Sequence, residues 1–259
     1  MAQVRALVLR APGTNCDHET AHAFQLAGAD AERIHVQRIV EYPSILDDFQ
    51  ILCVAGGFSF GDDLGAGRIL ASILDGQLGD HLRRFRDRNK LILGICNGFQ
   101  VLLKSGLLVE PDRQTREPRA TLAWNDHGRY EARWVHLALR PGVCQFIERE
   151  CVVTLPIAHA EGNFVVRSDD VLAELEAAGR LCVKYVDEAG KPGPFPVNPN
   201  GAMGDVAGLC DATGRVFALM PHPERYVRRT QHPRWTRLPD LPEEGAGLAI
   251  FRRAVAFFA

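Results

Sequence analysis

A short apolar run that passes at once into a helical pattern constrains this chain more than any other feature: Lys90–Leu103, KLILGICNGFQVLL. Leu91–Ile95 reads as a buried strand, and Phe99–Leu103 reads as the first turns of a helix. Between them stands Gly94-Ile95-Cys96-Asn97-Gly98, a G-x-C-x-G sequence with the glycine placement of a nucleophile elbow. Such a turn strains its central residue, and the neighbours two positions away must lack a Cβ to avoid a clash. It presents the central side chain at a helix N-terminus, where unpaired N–H groups and the helix dipole favour an anion. A cysteine there is expected to lose its proton more readily than the ~8.5 of a free thiol. The alternative is a buried cysteine at a glycine-flexed strand end. The turn alone does not decide between the two.

The first hundred residues repeat the same alternation. Val4–Leu9 reads as a strand, 16–26 as a helix ended by Gly28, Arg33–Val40 as a second β-like run, and Gln50–Ala55 as a third strand closing on Gly56-Gly57. Leu70, Ile73, Leu74, Leu78, Leu82 and Phe85 then recur at helical spacing before the strand that leads to Cys96. Apolar strands alternating with helices imply a parallel sheet covered on both faces, with chemistry at the carboxyl ends of its strands. Gly56-Gly57 and Cys96 both fall at such ends.

From about Thr121 the texture becomes antiparallel. Leu122–Trp124, Tyr130–Leu139, Cys151–Ile157, Phe164–Val166, Leu181–Val186 and Val216–Met220 read as strands joined by turns such as Asp211–Gly214. Ser168 is the expected cap of a short helix, with Asp169 and Asp170 in its first turn. Lys191–Gly201 holds four prolines and two glycines and reads as a loop. The polar, proline-containing stretch 228–247 reads as a loop or extension, followed by a last amphipathic helix. No repeat or low-complexity segment interrupts the chain, so 1–259 is expected to form one domain.

Composition serves mainly to exclude. A net charge of −2 gives no reason to expect nucleic acid or an anionic membrane as partner. No apolar run approaches the ~18 residues of a membrane span. The N-terminal MAQVRALVLR enters a strand directly and lacks the apolar region and cleavage site of a signal peptide. Seven cysteines without a C-x-x-C pair fit reduced thiols in a cytoplasm better than a disulfide framework or a metal site.

Two further stretches carry chemistry. Gly56–Gly67, GGFSFGDDLGAG, lacks the lysine of a phosphate-binding loop, and Asp62 and Asp63 would repel a phosphate. It reads either as a loop whose backbone N–H groups meet a developing oxyanion, or as a plain glycine-rich turn. In Phe217–Arg225, FALMPHPER, an extended backbone would project His222 and Glu224 to the same side, and the flanking prolines stiffen it. An imidazole with a carboxylate on its second nitrogen is what a general base requires. By itself the pair reads equally as a surface His–Glu contact. With Cys96 it completes a set of nucleophile, base and orienter that can meet across one sheet edge.

At these residues the chain resembles the class I (triad) glutamine amidotransferases, through GICNGFQ around Cys96, the upstream GGFSFGDD and the distal PHPE. The likeness extends through NDHGRYEARWV, PIAHAEGNF, NPNGAMGDVAGL and MPHPER to the family of glutaminase components of phosphoribosylformylglycinamidine synthases. It covers about Val4 to Arg225 and the last helix. Ala160 stands where that family commonly has glycine, Ala202 where it often has serine, and His127 near another usual serine. None of these touches Cys96, His222 or Glu224.

The resemblance implies a flavodoxin-like three-layer α/β/α fold with a central mostly parallel sheet and added antiparallel strands. It implies that Cys96 attacks the glutamine side-chain amide and that His222, oriented by Glu224, carries the proton to the leaving ammonia. The oxyanion would meet the N–H groups of Gly57 (or Phe58) and Asn97. Gln100 and the segment containing His159 and Glu161 would hold the substrate's α-amino and carboxylate groups. It implies no cofactor and no metal on this chain. The implied partner is an ATP-dependent synthetase subunit, with ATP and magnesium bound there and a small accessory subunit as a further possible member. The arginine-rich stretch after PHPE (Arg225, Arg228, Arg229, Arg234, Arg237) reads as a docking surface or as a solvated basic loop. Three other readings stay open: the glutaminase of another synthetase, a cysteine hydrolase on the same sheet, and a partner-binding subunit without catalysis.

Overall fold

The computed structural model describes residues 3–259, so residues 1 and 2 of the expected unit lie outside it. In chain order the strands and helices begin β1 (Arg5–Arg10), α1 (Asp17–Leu26), β2 (Asp30–His35), α2 (Val36–Glu41), β3 (Ile51–Val54), α3 (Arg68–Asp87), β4 (Leu91–Ile95) and α4 (Asn97–Lys104). They continue as β5 (Ala120–Ala123), β6 (Glu131–Leu139), β7 (Cys151–His159), β8 (Asn163–Val166), α5 (Asp169–Ala177), β9 (Val183–Val186), β10 (Val206–Cys210), β11 (Val216–Leu219) and α6 (Leu248–Ala256).

Nine strands form one sheet in the order β2-β1-β3-β4-β11-β10-β9-β6-β7, and β5 pairs with β8 in a small second sheet. From β2 to β11 every pairing is parallel, and from β11 to β7 every pairing is antiparallel. Successive strand residues point to opposite faces, and every residue of β3, β4, β10 and β11 is buried. Both faces of the sheet centre are therefore covered. This is the α/β arrangement that the alternation of strands and helices implies, with the antiparallel strands added at one side.

Strand order reverses between β1 and β3, since the chain moves outward to β2 on one side and to β3 and β4 on the other. At such a switch point a crevice opens at the carboxyl ends of the strands. The loops after β1 and β3 meet there through a bridge between Thr14 and Gly57. Cys96 follows β4, and His222 lies three residues beyond β11, whose Leu219 pairs with Ile95.

The structure departs from the sequence reading at several elements. The run Arg33–Val40 is not one strand: the strand ends at His35, and Val36 begins a helix. Val36 and Ile39, three apart, are its buried residues, and the His35 imidazole accepts the Gln37 N–H at 3.2 Å as a cap. The Ser168 hydroxyl, conversely, makes no cap hydrogen bond to α5. Strand β10 has no counterpart in the sequence reading, because Val-Ala-Gly-Leu-Cys is short, unalternating and interrupted by glycine.

The stretch 228–247 is not wholly irregular. Two short 3₁₀ turns and a bridge between Arg228 and Glu244 shape it, and His232 stacks edge-on against Trp134. Its end returns to the PHPER turn: the Gly247 N–H donates to Tyr226 O at 2.9 Å, and a Cβ on Gly247 would lie 2.0 Å from Pro223 O. Arg225 and Arg229 also have partners within the chain, Cys16 and Glu243, while their side chains stay partly exposed.

Candidate active site

Three adjacent strands, β3, β4 and β11, and the edge strand β7 deliver the candidate residues. Cys96 takes φ 51° and ψ −104° at the turn from β4 into α4, a strained conformation for a residue with a side chain. The two flanking glycines are needed as the sequence suggests. A Cβ on Gly98 would lie 1.9 Å from Val54 O, and one on Gly94 would lie 2.7 Å from Leu102 Cδ1 and 2.8 Å from Gly98 O. The Cys96 N–H is bound to Leu219 O at 2.8 Å, which ties the elbow to β11. Its thiol is buried and lies 3.6 Å from Ala158 O.

His222 and Glu224 meet, though not by the extended geometry expected. Pro223–Arg225 forms a 3₁₀ turn, and within it the carboxylate folds back so that Glu224 Oε1 lies 2.6 Å from His222 Nδ1. Nε2 of His222 and Oε2 of Glu224 are both buried without a hydrogen-bond partner. Nδ1 is thus committed to the carboxylate, and Nε2 is the nitrogen left for proton exchange. Burial disfavours the imidazolium, but the Glu224 carboxylate and then Cys96 overcome it and hold the His222 pKa well above its ordinary value.

Of the two alternative oxyanion donors, one is occupied. The Phe58 N–H donates to Gly13 O at 3.0 Å, whereas the N–H groups of Gly57 and Asn97 have no backbone acceptor among the described residues. Gly57 sits at φ +144°, and a Cβ there would lie 2.7 Å from Asn15 N, so only glycine fits.

Gln100 and Glu161 come together with Asn97, but chiefly as struts. Gln100 Nε2 donates to Glu161 O at 2.6 Å, and its Oε1 accepts from Asn97 Nδ2 at 2.8 Å, so both ends of the amide are engaged. Asn97 also accepts the Ser59 N–H and donates to Asp62. The Glu161 carboxylate accepts the Ala66 N–H at 3.2 Å. This network stitches Gly56–Gly67 to α4 and to the loop after β7. A cavity of about 900 Å³, lined by Leu64, Gly65, Arg68, Lys104, Glu161 and Arg167 among others, reaches Glu161 from outside.

Sequence reasoning missed two contributors. Asn125 holds the loop after β7: it donates to His159 O and accepts both the Gly162 N–H and a contact from His159 Nδ1. It opens the NDHGRYEARWV stretch, but nothing local distinguishes an asparagine brace from a turn residue. Cys16 lies 4.0 Å from His222 Nδ1, a contact visible only once β1 and β11 share a sheet.

His159 is buried at the end of β7. Burial, and then the charge of His222, pushes its imidazole down to about 3. The folded chain therefore keeps it neutral while the unfolded chain takes a proton near ~6.5. Between these values the unfolded state binds more protons, so stability falls as pH falls, by up to about 1.4 kcal/mol per pH unit from this group. His159→Asn is expected to flatten that acid-side loss in denaturant unfolding between pH 7 and pH 4. Parallel stability–pH curves for variant and parent would show that His159 is not buried neutral.

Among the described residues, two groups of side chains converge closely enough to share a metal ion. In each of Cys144/Cys182/Cys210 and Cys16/His222/Glu224 the ligand atoms lie within 4.8 Å of one another. Burial pushes the Cys144 and Cys182 thiols well up, so a metal there must displace their protons. The second group carries the Arg225 guanidinium 3.1 Å from its sulfur, which opposes a cation.

A cysteine on a strained strand-to-helix turn, beside a buried His–Glu pair at the next parallel strand, defines the class of triad amidotransferases by fold and arrangement. The chain belongs to the family described as the CobB/CobQ-like glutamine amidotransferase domain, whose model matches residues 3–258. Within that class it is 47% identical to phosphoribosylformylglycinamidine synthase subunit PurQ of Dehalococcoides mccartyi, over 98% of each chain. It is 37% identical to the human phosphoribosylformylglycinamidine synthase over 88% of this chain but 18% of that protein. Among solved structures, PurLQS from Thermotoga maritima matches with a TM-score of 0.74 at 27% identity, covering 100% of both chains.

Proposed function

We propose that this chain is the glutaminase subunit of a phosphoribosylformylglycinamidine synthase. The observation that carries the reading is Cys96 on its strained turn next to a His222 whose Nδ1 is held by Glu224 at 2.6 Å. Cys96 Sγ attacks the side-chain amide carbon of glutamine, and the negative charge that builds on oxygen is met by the N–H groups of Gly57 and Asn97. One such donor is worth on the order of 10²–10³ in rate. His222 gives its proton to the departing amine nitrogen, so the C–N bond breaks, ammonia leaves and a thioester remains. Water, deprotonated by the same imidazole, cleaves the thioester to glutamate and returns the thiol. Glu224 holds the ring and the charge it acquires.

The ammonia passes to a separate ATP-dependent synthetase subunit, which converts formylglycinamide ribonucleotide to its amidine; ATP and magnesium belong to that partner. The human relative, of which the match spans 18%, fits an amidotransferase unit that works beside a larger synthetase. The whole chain is read as one such unit, with 228–247 an extension that backs the turn carrying Glu224. Its site of action is read as the cytoplasm; no helix among the described residues is long and apolar enough to cross a membrane.

The test is covalent. A diazo-ketone analogue of glutamine is expected to label Cys96 before the other six cysteines, with loss of glutamate release in step with labelling. A label found on Cys16 or Cys53 with Cys96 untouched would overturn the assignment.

A further inference from the structure

Cys16 has no part in the chemistry above, yet it touches the groups that perform it. It follows β1, stands at the N-terminus of α1 without a side-chain cap hydrogen bond, and is 1% exposed. Its Sγ lies 3.1 Å from Arg225 Nη2, 3.2 Å from Asn15 Oδ1 and 4.0 Å from His222 Nδ1. Gly56 closes the other side: a Cβ there would lie 3.1 Å from this sulfur and 3.0 Å from His222 Cε1. Thiol and imidazole are both buried there, and the Arg225 side chain, 37% exposed, reaches the same sulfur.

Arg225 directly follows Glu224, whose Oε2 is buried and unpaired. The guanidinium does not take that oxygen. Nη2 donates to the Cys16 sulfur, and Nε faces Glu19 Oε1 at 3.7 Å. An arginine–carboxylate hydrogen bond is stronger than one to a thiol sulfur. Contact of Arg225 with Oε2 would neutralise part of the charge that sustains the His222 imidazolium.

We propose that Cys16 is a positioning residue: its sulfur tethers Arg225 and keeps the guanidinium off Glu224, so that the full carboxylate charge acts on His222. The inference rests on His222 being the base of the proposed glutaminase reaction. The titratable groups that face His222 are Glu224 from its own turn, Cys96 from the β4–α4 turn, Cys16 from the β1–α1 loop, His159 from β7 and Tyr130 from the segment before β6, and Arg225 faces Cys16 and Glu224.

The experiment compares Cys16→Ala, Cys16→Ser and Cys16→Ala/Arg225→Gln in the full chain with its synthetase partner. Cys16→Ala is expected to lower kcat for glutamine hydrolysis about tenfold, a fraction of what a general base supplies, with KM within about twofold. The imidazole C–H resonance of His222, assigned by its loss in His222→Gln, is expected to titrate at lower pH in Cys16→Ala. Serine, which can still accept from Arg225, is expected to restore both, as is the double variant, which lacks the competing cation. Parental kcat and parental His222 titration in Cys16→Ala would overturn the proposal. So would a double variant no better than Cys16→Ala, which would reduce the cysteine to a filler of space. If the parent complex released no glutamate, the glutaminase reading would fail, while the His222 titration would still test the Cys16 contact.

Discussion

Replacing Cys96 with alanine is expected to abolish glutamine-dependent amidine synthesis, by about 10³-fold or more, while synthesis from added ammonium salt proceeds at the parental rate. The asymmetry follows from what the residue does in the proposed reaction. Without Sγ no thioester forms, and the oxyanion donors cannot supply a nucleophile. The fold should tolerate the change, because the Cys96 thiol holds no backbone group closer than Ala158 O at 3.6 Å among the described residues. Alanine also keeps the small Cβ that the φ of 51° already accommodates. The measurement is product formation by the reconstituted complex with glutamine and, separately, with ammonium. Equal loss of both activities would mean that Cys96 serves docking or folding, and the glutaminase assignment would have to be given up.

The second large effect is on stability. A Cβ at Gly98 would lie 1.9 Å from Val54 O and 2.8 Å from Val54 C. Neither atom can yield, because β3 is held on one side by β1 and on the other by β4, the strand that leads into the same elbow. Gly98→Ala is therefore expected to cost on the order of 3–5 kcal/mol, in the range of the most severe single substitutions. Gly76, exposed in the middle of α3, is the matched control, since a Cβ there would meet nothing within 4 Å. Gly76→Ala should raise stability by up to about 1 kcal/mol through helix propensity alone. Denaturant midpoints of the two variants are expected to move in opposite directions. If Gly98→Ala unfolds within about 1 kcal/mol of the parent, the packing of α4 on β3 is not as described.

Much of the architecture is legible in the sequence because it is written in local sterics and periodicity. The Gly94–Gly98 spacing dictates a strand-to-helix turn whichever fold surrounds it. The 3.6-residue recurrence of Leu70 to Phe85 yields a helix, and the proline-rich 191–201 yields a loop. Residue chemistry also announces Cys96, His222 and Glu224 as a possible set, since a thiol, an imidazole and a carboxylate are the reagents of nucleophilic catalysis. Local pattern fails where two structures share it. Arg33–Val40 satisfies a strand and a helix about equally until the His35 cap and the burial of Val36 and Ile39 choose. The five residues of β10 carry no alternation to read.

Tertiary structure alone decides what pairing across the sheet decides. The parallel register of Leu219 with Ile95 brings the turn after β11 beside the elbow after β4, and no local signal encodes that distance. Phe58 loses its N–H to Gly13, and Gln100 spends both ends of its amide on Asn97 and Glu161, because loops from three strands close on one another at the sheet edge. Cys16 comes within 4.0 Å of His222 for the same reason. Identity at each position was written in the chain. Which of those side chains face one another, and which of their hydrogen bonds remain free, depended on long-range contacts formed only when the sheet assembled.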